Sequence, residues 1–177
     1  MPYVGVADPA LVLLPKVSDV VLIAPLLGNL NALTLDYVVR QKLGATDLRN
    51  HYFQQFPVIP PTAYTPADVE FITPRVLELV YTTWDMKPFA EDMGYHGEPF
   101  RWDEERRAHL RAELDAYYAR LYGLTRDELR YILDPKDIYG DDFPGESFRV
   151  LKEKVIKMHG EYRTRRLVLE KWDGMEG

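Results

Sequence analysis

Three sets of polar side chains in this sequence have the types and spacing to do chemistry. The first is Arg40, Gln41 and Lys42, followed closely by Thr46, Arg49, Asn50, His51 and Gln54. Arginine can fork onto a guanine edge, lysine can neutralise a phosphate, and amide, hydroxyl and imidazole groups can read base edges. The same residues 40–42 also suit a helix C-terminus, where cations favour the macrodipole, and Arg40 stands four residues after Asp36. The second set is Arg163, Arg165 and Arg166, with Lys152, Lys154 and Lys157 ahead of them. It offers phosphate contact, but Glu153, Glu161 and Glu170 are interleaved, the pattern of a solvated face laced with ion pairs. The third set is acidic: Asp134, Asp137, Asp141, Asp142 and Glu146. Such oxygens suit calcium or magnesium. Their spacing lacks the alternation and central glycine of an EF-hand, so an exposed acidic loop is expected.

Other chemistries find no footing. There are no cysteines, which removes thiolate metal sites, disulfides and a cysteine nucleophile. The four histidines, at 51, 96, 109 and 159, form no pair at zinc-ligand spacing, so no metal is expected. Neither a Gly-x-Ser-x-Gly elbow nor a glycine-rich cofactor loop after a strand occurs.

The elements that must position these side chains are mostly helices. Residues 1–24 hold short apolar runs, Ala10–Leu14 and Val20–Ile23, and read as one or two strands or an irregular lead-in. From Leu26 the apolar positions Leu30, Leu33, Tyr37 and Val38 step at helical spacing, with Pro25 in the first turn and Gly44 placed to end the helix. A short segment from Leu48 to Phe56 leads into prolines at 57, 60, 61 and 66, an extended linker. Helices are then expected over 75–84, 84–93, 104–122, from the capping box Thr125-Arg-Asp-Glu128 to Leu133, from a Ser147 cap to Gly160, and over 161–172. Trp84, Phe89, Trp102, Tyr117, Tyr118, Phe148 and Trp172 are expected to fill the core or an interface.

Bulk properties set the frame. A chain of 177 residues, 46% hydrophobic and with 22 aromatic side chains, can build a real core. No apolar run reaches the roughly 18 residues needed to span a bilayer, and no basic leader opens the chain, so no membrane partner and a cytoplasmic setting are expected. The net charge of −6 is uneven. Residues 1–66 carry four cations and four anions, and residues 67–177 carry eighteen and twenty-four. Any duplex contact must therefore come from local basic patches.

Four stretches add a family likeness. They are Pro25–Lys42, which ends Leu35-Asp-Tyr-Val-Val-Arg-Gln-Lys42; Tyr52-Phe-Gln-Gln-Phe-Pro-Val-Ile-Pro-Pro61; Phe100-Arg-Trp-Asp-Glu-Glu-Arg-Arg107, running on through Leu114-Asp115 to Leu121-Tyr-Gly123; and Gly160-Glu-Tyr-Arg-Thr-Arg-Arg166. Their order resembles the C-terminal end of type IIG-like restriction–modification proteins of prokaryotes, which carry a fused N6-adenine DNA methyltransferase. The resemblance implies the end of a target-recognition domain followed by a helical C-terminal domain. It also implies a parent enzyme that uses S-adenosylmethionine. The methyl-transfer motif of that family, Asn or Asp before Pro-Pro and an aromatic that stacks on the flipped base, is not matched by Ile59-Pro-Pro-Thr-Ala-Tyr64. The family's Gly-Gly-Thr-His-Leu reads Gly44-Ala-Thr-Asp-Leu48 here, and the Asp47 carboxylate would repel phosphate.

The expected fold is therefore mainly α, a helical domain with a small mixed α/β N-terminal piece. Residues 1–60 would form the end of the target-recognition-like domain, 61–67 a proline-rich linker and 68–177 the helical domain. The expected role is the non-catalytic DNA-recognition and scaffold portion of an adenine methyltransferase, as a fragment or a stand-alone remnant. This chain would hold no cofactor, S-adenosylmethionine belonging to the missing catalytic part. Its partners would be double-stranded DNA, bound weakly, and the methyltransferase portion or another protein chain. The competing expectation is a stand-alone helical protein-interaction module without DNA affinity.

Overall fold

The structure, a computed structural model, describes residues 13–16, 19–43, 48 and 50–175. Among them it forms ten α-helices and three short 3-10 turns, with no strand. The mixed α/β N-terminal piece is thus not seen. Asp19 accepts the N–H of Val21 at 3.0 Å and opens a 3-10 turn over Val20–Leu22, which runs straight into α1 (Ile23–Asn31). The apolar run Val20–Ile23 therefore winds into a helix instead of alternating along a strand. The run Ala10–Leu14 lies mostly outside the described residues.

The helix expected from Leu26 onward is broken at Ala32, and α2 (Leu33–Lys42) follows. After α3 (Asn50–Phe53) comes α4 (Pro66–Val80), which starts well ahead of the expected residue 75. Thr65 opens α4 with a capping box. Its hydroxyl accepts the N–H of Asp68, and the Asp68 carboxylate accepts the N–H of Thr65 at 2.6 Å. Pro66 occupies the first turn, where an absent N–H costs nothing. Pro74 sits inside α4, and beside it Arg75 lies over the Phe71 ring at 3.6 Å and donates to the Phe71 carbonyl at 2.7 Å. Thr65→Ala should destabilise the protein by about 1 kcal/mol, the usual cost of a lost N-cap, seen as a lower urea midpoint. An unchanged midpoint would show the cap to be redundant.

Then follow α5 (Lys87–Asp92), α6 (Glu104–Leu121), α7 (Arg126–Leu133), α8 (Lys136–Tyr139), α9 (Arg149–His159) and α10 (Arg163–Gly174). Thr125 and Glu128 form the expected capping box on α7. Ser147 does not cap α9. Phe148 holds that position with no side-chain hydrogen bond. Gly160 ends α9 at φ +77°, a left-handed conformation that glycine adopts freely.

The chain packs as two compact units. The first comprises residues 1–31 and 41–103, and the second comprises 32–40 and 104–177. The proline-rich stretch belongs inside the first unit because the buried Asn29 side chain of α1 accepts the N–H of Ile59 at 2.9 Å. In this unit α1 packs on α4, and a small aromatic core gathers around the fully buried Tyr81. Tyr95 stacks on Phe100 at 4.9 Å, and the Phe100 N–H donates to the Tyr81 carbonyl. A side chain at Gly97 would collide with the Tyr95 hydroxyl, 2.5 Å away.

In the second unit α6 packs along α10. Ala112, Ala116 and Ala119 keep one face of α6 small, and Leu129, Leu133, Leu167, Val168, Leu169 and Trp172 fill in against it. Arg120 lies over the Trp172 ring at 4.4 Å and donates to its carbonyl. Tyr118, Phe148 and Trp172 are buried as expected, and Phe89 and Tyr117 are half-buried. Trp84 and Trp102 are instead more than half exposed, at 59% and 57%.

Candidate functional site

The three polar sets read from the sequence meet different fates. Arg40, near the end of α2, donates from Nε and Nη2 to the two carboxylate oxygens of Asp36, at 2.9 and 3.0 Å. Its guanidinium also lies 5.3 Å from the centre of the Phe148 ring. The fork that would read a guanine is thus engaged inside the second unit. Gln41 and Lys42 are exposed in the first unit, as are Asn50, His51 and Gln54 on and after α3. The His51 ring stands 4.2 Å from that of Tyr52, and Gln55 donates to the His51 carbonyl at 2.9 Å. Thr46 and Arg49 lie outside the described residues, as does Asp47.

The C-terminal arginines are paired. Arg163 bridges to Glu105, Arg165 to Asp137, and Arg166 to both Glu161 and Glu170 at 3.0 and 2.8 Å. Acidic and basic clusters that look separate along the chain partly neutralise each other in space. Asp137 also accepts from Arg130. Burial works against ionising Asp137, but the two arginines outweigh it and hold its carboxyl below the usual range.

Lys152 of α9 clasps two carboxylates at once. Its ammonium donates to Asp134 and to Glu146, both at 2.9 Å, and Lys136 approaches Glu146 at 3.4 Å. All three members of the clasp are largely buried. Chiefly through the hydrogen bond from Lys152, the Glu146 carboxyl is held below its ordinary value. Lys152 itself is raised, its two carboxylates outweighing its burial. Three of the five acids in the expected loop are therefore counter-ions of fixed cations. Asp141 and Asp142 are exposed. Among the described residues no group of three or more His, Asp or Glu side chains is placed to hold a metal ion.

A buried carboxylate escaped the sequence reading. Asp115 of α6 accepts the N–H of Leu33, the first residue of α2, at 2.8 Å. Ala32 has no side-chain oxygen to cap that helix, so an acid from 82 positions further along the chain does so. Desolvation pushes the Asp115 carboxyl up to about 7, despite the Leu33 hydrogen bond and Arg111.

One open cleft of about 850 Å³ lies in the second unit, where the 141–148 segment meets the start of α9. Asp141, Asp142 and Phe143 line it from the segment, and Arg149, Val150 and Lys154 line it from the helix. No single helix among the described residues is long and apolar enough to cross a membrane. The chain matches no family model, no curated protein and no solved structure.

Proposed function

We propose that this chain is a non-catalytic DNA-recognition and scaffold portion of a restriction–modification adenine methyltransferase. Its duplex contact would be confined to the polar strip between residues 41 and 54. The observation that carries this reading is the contrast between the exposed strip and the three C-terminal arginines. Gln41, Lys42, Asn50, His51 and Gln54 are exposed, whereas Arg163, Arg165 and Arg166 are committed to carboxylates. The likeness of residues 25–42 and 52–61 to the end of a target-recognition domain supplies the kind of parent. Methyl transfer and S-adenosylmethionine would then belong to a separate portion. With so few open cations and a net charge of −6, binding should be weak, with a dissociation constant of about 10⁻⁴ M at physiological salt.

Fluorescence anisotropy of a labelled duplex tests this reading. Affinity should rise steeply as salt is lowered and should fall several-fold in Lys42→Glu. Arg166→Ala, whose side chain is already paired, should bind like the wild type. An absence of binding at low salt, or an equal loss in both variants, would remove the DNA reading.

A second reading, a helical protein-interaction module, is favoured by α9. This helix buries no residue fully, and it leaves Val150 and Met158 exposed at 74% and 64%. Exposed apolar side chains on a helix with no fully buried residue suit a partner-facing surface.

A further inference from the structure

The second unit pairs most of its charges internally, and several of the exceptions line the cleft. Among the described residues Asp141, Asp142 and Lys154 form no ion pair, and Arg149 has only a loose contact with Glu153 at 3.9 Å. The acids come from the segment after α8, and the cations come from the first turns of α9. Apolar surface accompanies both. Phe143, Pro144 and the exposed Val150 line the cleft, and Tyr139, also exposed, stacks on Phe143 at 5.1 Å.

A surface that shows both signs around an apolar patch selects its partner. A nucleic-acid backbone would be repelled by Asp141 and Asp142, and a purely acidic or basic peptide would satisfy only one half. The partner must present acids where the cleft presents cations, cations where it presents acids, and apolar surface at the centre. The cleft itself has that composition. Under a two-fold axis each contact occurs twice, with residue i of one copy on residue j of the other and the reverse.

We propose that this cleft is a self-association surface, on which a second copy of the chain seats its acidic 141–142 segment against Arg149 and Lys154. Val150 lies nearest the axis, where the interior of an interface is apolar and dry. The charge pairs ring it and set the register. The inference does not depend on DNA binding.

Analytical ultracentrifugation of the full chain across a concentration series decides it. The wild type should approach twice the monomer mass of 20.6 kDa, less so at high salt. Lys154→Glu and Asp142→Lys should each sediment as monomers, because each brings like charges together twice. Mixing the two variants should restore the doubled mass, since the reversed charges then meet their opposites. Both side chains being exchanged are exposed, so far-UV circular dichroism should show the fold unchanged. A wild type that stays monomeric, single variants that still dimerise, or a mixture that fails to recover would each overturn the proposal. A monomeric wild type would also reassign the cleft to a different protein.

Discussion

Urea unfolding of the wild type and of Asp115→Asn should diverge as the pH changes. Between about pH 5 and about pH 8 the wild type should lose about 2–3 kcal/mol more than the variant does. The Asp115 carboxyl titrates near 7 in the folded protein, above the ordinary carboxylate value of 3.8. Across that interval the native state binds a proton that the unfolded chain has released. The stabilisation is complete below about 4 and is lost as the pH rises through about 7, with no further change above. Asp137, Glu146 and Asp173 shift in the opposite direction, so their contributions disappear only as the pH falls into the ordinary carboxylate range. Asparagine preserves an oxygen for the Leu33 N–H and removes the charge. Asp115→Ala removes both and should cost about 1–3 kcal/mol for the orphaned N–H, even at low pH. If Asp115→Asn kept the wild-type slope, the proton would have to bind elsewhere.

Lys152→Met should destabilise the second unit by about 3 kcal/mol. Removing one partner of a largely buried ion pair leaves its counter-charge unsatisfied. Here two carboxylates, Asp134 and Glu146, would be stranded. Neutralising them as well, with Asp134→Asn and Glu146→Gln, should recover most of the loss, because an apolar or neutral replacement of a whole buried cluster is often tolerated. Chemical denaturation of the single and triple variants separates the outcomes. A triple variant no better than Lys152→Met would show that the lysine acts by packing its alkyl stem rather than by charge.

The helical character of the chain was legible in its spacing, and so were the ends of several helices. Thr125 and Glu128 announced α7, and Gly160 announced the end of α9. The same grammar stood at Thr65-Pro-Ala-Asp68, yet four prolines between 57 and 66 argued for a linker, and the start of α4 was lost to them. Proline in a first turn initiates a helix as readily as it stiffens a loop. Val20–Ile23 misled for a related reason. A four-residue apolar run suits strand and helix equally, and a single aspartate ahead of it decided for the helix.

Tertiary pairing was not legible. Asp134 and Lys152, or Asp137 and Arg165, are neighbours only after the chain has folded, so each group looked like a candidate site in its own right. Asp115 did leave a trace. It stands three residues after Ala112 and four before Ala119, on the small face of α6 that the core covers. A carboxylate at such a position needs a donor, and the donor lay on a helix more than 80 residues earlier.

That bond also bears on the order in which the molecule can be built. Residues 32–40 belong with a unit whose remaining part begins only at residue 104. During synthesis the start of α2 leaves the ribosome long before its cap exists, and the first unit, completed by residues 41–103, can organise before the second. The second unit then closes by recapturing a segment made dozens of residues earlier, at the entropic cost of shutting a long loop. The chain is discontinuous in time as well as in space.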